Sequence, residues 1–270
     1  MDVWPYQVDL GVRDFEAEEL EEIEAAQNPT PEEERPAFEW VADVDAKARA
    51  TPALLLLGLP GAGALFLKST FQLQKPVARL TRQTEEKKSI WENQKAAEKT
   101  FVIYELPDDP TTLIAICQLD ITPEQSPAWA NELFAHIAPK TTIILDSFTA
   151  NQIRQTNDDI TPPMLLKLRT SAADKSDKIP FFPTPSLVSG PAAAFLTWLQ
   201  VRQLPATLYV SLLETQMGRH DVITATLRAF EQLLPGLPPH VAKSATKPST
   251  AEYAKAISSV AQKATHHLYL

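Results

Sequence analysis

Ala53-Leu54-Leu55-Leu56-Leu57-Gly58-Leu59-Pro60-Gly61-Ala62-Gly63 decides the fold of this chain. An unbroken apolar run of this length, without polar alternation, is expected of a strand covered on both faces. Gly61 and Gly63 then turn the chain, and Ala64 to Leu73 reads as the following helix. A doubly covered strand followed at once by a helix implies a layered α/β architecture.

The text on the C-terminal side continues the alternation. Phe101–Leu106 and Thr112–Leu119 read as strands, separated by the turn Pro107-Asp108-Asp109-Pro110. Pro123 to Ile137 is helical, with Trp129, Leu133, Phe134 and Ile137 at three- and four-residue spacing. The β-branched run Thr141–Leu145 is another strand. Asn151 to Lys178 is polar and Pro-broken, which predicts a long loop with a short helix near Met164–Leu168. Ser189-Gly190-Pro191 opens a helix to about Gln203 that is apolar nearly all round and expected to be buried. Thr207–Leu213 is a strand, and Asp221 to Leu234 an amphipathic helix capped by Asp221. Finally, Ser249-Thr250-Ala251-Glu252 forms a capping box and opens a last helix with Tyr253, Ile257, Val260 and Ala264 along one face. That helix ends near Thr265. The expected fold class is α/β, a single sandwich domain with a mixed, mainly parallel sheet flanked by helices.

Towards the N-terminus the composition changes. Residues 1–50 hold 15 acids and 4 bases, a net of −11, whereas the whole chain carries −9, so residues 51–270 sum to +2. The acidity therefore belongs to an arm, with its densest run at Glu16–Glu24, rather than to the body. Self-repulsion and few apolar side chains favour a solvated, partly disordered segment. The expected division is an arm over 1–51, an α/β domain over 52–265, and a free tail over 266–270. A near-neutral body without a Lys/Arg stripe argues against nucleic-acid binding. No apolar run approaches the roughly 20 residues of a membrane span, and the acidic start does not read as a signal peptide. A lone Cys117 precludes an internal disulfide and fits a reducing compartment, the cytoplasm first and the nucleus second.

The search for chemistry returns little. Gly58-Leu59-Pro60-Gly61-Ala62-Gly63 matches G-x-x-x-x-G, but Ala64-Leu65 stand where a phosphate loop needs Lys and Ser/Thr. Small residues here are better explained by close packing of helix on strand. Cys117 lies in an apolar strand and reads as a buried small hydrophobe. Ser189 lacks the glycine two residues earlier that a nucleophile elbow requires. The five histidines (His136, His220, His240, His266, His267) show no metal-binding spacing. Asp108-Asp109 and Asp158-Asp159 read as turn residues. The residues suggest no catalytic group, no cofactor and no metal.

Phe101-Val102-Ile103-Tyr104-Glu105-Leu106, the helix before Gln200-Val201, and Leu204-Pro205-Ala206-Thr207-Leu208-Tyr209-Val210 resemble, in order and spacing, the proteasome assembly chaperone 1 family. The likeness spans about residues 53–270, and an acidic arm is also like that family. The last residues, Leu268-Tyr269-Leu270, fit the hydrophobic–Tyr–any ending (HbYX) of proteins that dock on the proteasome α-ring. In such a contact the Leu270 carboxylate meets a pocket lysine in a charge-assisted bond. Tyr269 supplies rigid contact area, and Leu268 fills the apolar entrance. The resemblance implies a non-enzymatic chaperone of the 20S core particle that pairs with a homologous second chaperone subunit and contacts proteasome α-subunits. Two other readings carry different tests. An enzyme of nucleoside-phosphorylase-like or hydrolase-like type would use a polar pocket at the Gly58–Gly63 turn. A regulator of the mature proteasome would use the same tail.

Overall fold

Leu54–Gly58 forms strand β2 and is buried along its whole length, Leu55 and Leu57 facing one core and Leu54 and Leu56 the other. Each fully buried leucine contributes about 2 kcal/mol of apolar burial, so this strand ties two cores together. The structure, a computed structural model, describes residues 35–41, 49–82, 100–153, 163–174, 177–216 and 219–265, apart from the side chains of 260–265. The arm up to residue 34, Asp158-Asp159 and the tail 266–270 lie outside the described residues.

The other strands are β1 (Pro36–Trp40), β3 (Lys75–Arg82), β4 (Phe101–Leu106), β5 (Asp109–Cys117), β6 (Thr141–Phe148), β7 (Leu165–Arg169) and β8 (Ala206–Leu212), with a small separate hairpin of β9 (Glu214–Gln216) and β10 (Arg219–Asp221). The helices are α1 (Ala62–Thr70), α2 (Ser126–His136), α3 (Gly190–Val201), α4 (Thr224–Ala229), α5 (Pro239–Ser244) and α6 (Thr250–Thr265). Eight strands form one sheet in the order β1-β3-β4-β5-β2-β6-β8-β7. Helices α2 and α3 cover the face that carries Leu55 and Leu57, with Trp129 and Phe195 fully buried beneath them. Helices α1, α4, α5 and α6 cover the opposite face, where Phe66, Phe230 and Tyr253 fill the second core.

The α/β sandwich with a mixed sheet flanked by helices agrees with the sequence reading, but the balance of the sheet does not. Only the central pairings β5–β2, β2–β6 and β6–β8 are parallel. The four outer pairings are antiparallel, so the sheet is not mainly parallel. Three strands outside the expected set account for the difference. Strand β1 comes from the stretch assigned to the arm, where Phe38 and Trp40 alternate with Glu39. A register shift between Pro76 and Ala78 interrupts β3 and hides its alternation. Strand β7 replaces the short helix expected near Met164–Leu168. Lys167 breaks the apolar pattern there, yet it is buried because its ammonium pairs with Asp177, 10 residues on.

Two helix expectations also change. Helix α4 begins at Thr224 rather than being capped by Asp221, which ends β10; Thr226 Oγ1 instead accepts the N–H of Ile223 at 3.4 Å. Helix α3 buries only Ala192, Phe195 and Leu199, and Val201 is 71% exposed. Being apolar all round did not bury it, because nothing in the chain's described residues packs over its outer side.

Candidate functional site

The Gly58–Gly63 turn sits at the carboxyl end of β2, the place where ligands bind in open α/β sheets. Its glycines serve packing, as the missing Lys and Ser/Thr suggested. A Cβ on Gly63 would lie 2.1 Å from the carbonyl oxygen of Leu145, and one on Gly58 would lie 2.8 Å from the carbonyl oxygen of Gly63. Helix α1 thus lies directly against β2 and β6, closer than any side chain allows. Gly61 turns the chain at φ 93°, in the left-handed region where glycine is favoured.

Beside this turn a cleft of about 240 Å³ is lined by Leu59, Pro60, Asp120, Ile121, Asp146 and Pro191. Asp146 follows the last strand residue expected from the sequence, Leu145, and the sequence reading gave it no role. Its signal was position alone: an acid at the carboxyl end of a buried parallel strand. Burial pushes its pKa up to about 7, against the opposing pull of the Ser147 N–H. The lining therefore offers two carboxyl groups and no cation. A phosphate entering here would meet acids, which is the wrong polarity for a phosphorylase. Asp146 could hold or release a proton near neutrality, but no nucleophile lines the cleft with it.

The other candidates of the sequence are structural. Cys117 is fully buried, gives its S–H to the Leu119 carbonyl at 3.8 Å, and has its pKa pushed up to about 12 by burial. A thiol so protonated is a poor nucleophile. Asp109 shapes the β4–β5 turn by accepting the N–H of Thr111 at 3.0 Å and the hydroxyls of Thr111 and Thr112 at 2.7 and 2.6 Å. Burial works to raise its pKa, but these hydrogen bonds outweigh it and hold the carboxyl below its ordinary value. Among the described residues, no three His, Cys, Asp or Glu side chains converge as a metal site would require. Nor, among them, is any helix long and apolar enough to cross a membrane.

The predicted docking residues Leu268, Tyr269 and Leu270 lie outside the described residues, but the helix that leads to them is firmly rooted. Ser249 gives its N–H to Glu252 Oε2 at 2.6 Å, and the Glu252 N–H returns to Ser249 Oγ at 3.3 Å, the reciprocal capping box expected from the sequence. Just upstream, Thr246 N–H and Oγ1 both donate to the Thr70 carbonyl at the end of α1, at 2.8 and 2.9 Å. The Arg228 guanidinium of α4 donates to Thr250 Oγ1. One turn into α6, Tyr253 is fully buried in the second core, and Ile257 packs partly against it. The helix then runs to Thr265, one residue before the tail.

A model of a protein family described as Proteasome assembly chaperone 4 matches residues 72–269, from just before β3 through α6 and into the tail. The chain belongs to the proteasome assembly chaperone family. Proteasome assembly chaperone 1 of Xenopus tropicalis is 28% identical over 142 residues, which cover 51% of this chain and 48% of the relative. The chain thus spans about half the length of the curated relatives it matches. Two solved structures share the fold at low identity. One is PbaA of Pyrococcus furiosus, described as an archaeal homolog of proteasome-assembly chaperone: TM-score 0.54, 11% identity, covering 84% of this chain and 94% of that one. The other is PbaB of the same organism, described as an archaeal proteasome activator: TM-score 0.54, 12% identity, covering 86% and 98%.

Proposed function

We propose that this chain is a non-enzymatic assembly chaperone of the proteasome core particle. It pairs with a homologous subunit, sits on the α-ring while the ring assembles, and docks there through Leu268-Tyr269-Leu270. The observation that carries the reading is the family match over 72–269, which takes in the α/β body from β3 onward and Leu268-Tyr269 of this tail. Two features of the molecule support it. The cleft at the ends of the parallel strands carries acids and no catalytic constellation. Helix α6 is held by a capping box and by Tyr253, so the tail would start from a fixed point on the body. Fixing one end of a docking segment lowers the entropy lost on capture and lets a three-residue anchor add to contacts made by the body.

The test is to delete Leu268–Leu270, confirm an unchanged melting curve, and measure capture of α-subunits and of the core particle. Capture should fall at least tenfold. Extending the chain by two residues beyond Leu270 should have the same effect, because a pocket lysine needs a terminal carboxylate. Undiminished capture by both variants would remove the tail from the mechanism. The shared fold of PbaB keeps regulation of mature particles as a second reading. Co-purification with immature particles favours the chaperone; co-purification with mature ones alone favours the regulator.

A further inference from the structure

Strand β1 is where residues 1–34 join the fold, and it does so at a face of the sheet that the described helices leave open. Phe38 and Trp40 turn towards the first core, so Ala37 and Glu39 point to the other side. The pairing register sets Glu39, Arg79, Val102 and Ile116 in one row across β1, β3, β4 and β5. Pro76, Tyr104 and Ile114 form the next row. Ile114 and Ile116 lie in the second core, but the helices over it pack chiefly on β5, β2, β6 and β8. Towards the β1 edge both rows therefore come to the surface. Ala37, Pro76, Val102 and Tyr104 are only half-buried, and Glu39, Arg79 and Thr81 are exposed.

The rim of this face is basic. Arg35, one residue before β1, continues the alternation of Ala37 and Glu39, and it is exposed as Arg79 is. Among the described residues neither arginine forms an ion pair. On the far side Lys68 of α1 reaches Gln118 Oε1 at 2.6 Å, and Gln118 gives its N–H to the Thr100 carbonyl beside β4 at 2.8 Å. Arg35, Arg79 and Lys68 thus frame the open strip, and Glu39 is the acid among them.

We propose that the chain's own acidic segment, Asp14 to Glu24, docks on this open face of β1, β3 and β4. Charge and connection decide the occupant. Residues 1–34 hold 12 acids and one base, and Asp14 to Glu24 holds seven of those acids and no base. Phe15, Leu20 and Ile23 are the segment's large apolar side chains, and Pro76, Val102 and Tyr104 offer them apolar surface between the cations. The connection is short. Arg35 follows Glu24 by 11 residues, a link that reaches at most about 37 Å when extended. Three strands of about five residues cover roughly 10 by 17 Å, well within that reach. Such an area would not hold a separate partner, but a tethered segment binds at millimolar effective concentration. A second copy of the chain would set these cations against their equals, and nucleic acid would be repelled by the arm. The contact is exposed and largely ionic, so it is reversible and salt-sensitive.

The test uses the full-length chain with a nitroxide on Ala17→Cys, read by paramagnetic broadening of backbone amide signals. Cys117 is fully buried, so the added thiol alone takes the label. At low salt the amides of Thr81, Val102 and Tyr104 should lose at least half their intensity, and those of Thr197 and Val201 on α3 should not. Salt at about 0.5 M, where the screening length is near 4 Å, should restore them. Arg35→Glu with Arg79→Glu should restore them at low salt, with an unchanged melting curve. If that variant melts early, the salt series on the wild-type surface decides alone. No broadening at low salt, or broadening that neither salt nor a folded charge variant relieves, overturns the proposal. So does broadening passed from nitroxide-bearing chains to separate isotope-labelled ones, which puts a second copy on the face. Broadening from a label on Ser89→Cys, with the Ala17→Cys label silent, assigns the face to residues 83–99 and also overturns it.

Discussion

The backbone N–H of Phe38, on the edge strand β1, is donated to Glu132 Oε1 of helix α2 at 3.0 Å. His136 Nε2 lies 3.3 Å from the same oxygen, and its ring stacks on the Phe38 ring with centroids 4.5 Å apart. One helix side chain therefore plugs an outward donor of the sheet's open edge, and a second lies over the strand. Edge strands that keep such donors free invite pairing with other chains.

Glu132→Ala should therefore cost about 1–2 kcal/mol, the range for losing a charged acceptor from a part-buried donor. Glu132→Gln, which keeps an acceptor, should cost less than half of that. Urea midpoints of the two variants check the order.

Gly63→Ala should be among the most damaging single-methyl changes in the protein. Its Cβ would meet the Leu145 carbonyl at 2.1 Å, so helix α1 would have to lift from the sheet. A cost of about 3 kcal/mol or failure to fold is expected from overpacking of this severity. Gly236→Ala, where a Cβ meets nothing within 4 Å, is the matched control and should change stability little. Thermal melts decide.

Asp146 gives stability a pH dependence of defined sign. Its folded pKa is raised to about 7 from 3.8, so between these values the folded state binds more protons than the unfolded one. Its contribution is therefore most favourable below about pH 4 and is lost as pH rises towards 7. Asp146→Asn removes the dependence. Relative to wild type, the variant should gain stability at pH 8 compared with pH 5, read as the difference in urea midpoints. A gap that does not change with pH would contradict this assignment.

Lys167, Asp177 and Tyr209 form one cluster at the β7 edge. Lys167 pairs with Asp177, Tyr209 donates to the same carboxylate, and the ammonium lies 4.9 Å from the Phe181 ring centroid. Burial lowers the Lys167 pKa first, with Arg169 adding to it. Lys167→Met should cost about 2–3 kcal/mol, because it strands a partly buried carboxylate. Adding Asp177→Leu should restore part of that loss, a coupling that a double-mutant cycle reads directly.

Tyr253→Ala empties the core under α6 and should cost about 3 kcal/mol. If the root of α6 positions the tail as proposed, capture of the core particle should weaken even with Leu268–Leu270 intact. Stability is then compared at a temperature where the variant remains folded.

Much of this architecture was legible in the chain. Leu54–Leu57 could only be a strand covered twice, because such a run has no side that tolerates water. Ser249 and Glu252 announced the start of α6, since their bonds reach only three residues. The small residues at Gly58 and Gly63 correctly pointed to close packing of helix on strand. These readings succeeded because each depends on neighbours in sequence.

Where partners come from far along the chain, the residues gave no sign. Strand β7 looked like a helix because Lys167 is admitted to the interior only by Asp177 and Tyr209. Strand β1 looked like part of a solvated arm until β3 and Glu132 are seen to receive it. The apolar circumference of α3 said that it must be covered without saying by what, and folding leaves its outer side open. Local propensity and burial are written in short stretches of residues; which side chains share a proton, an edge or an uncovered face is set only when distant segments meet.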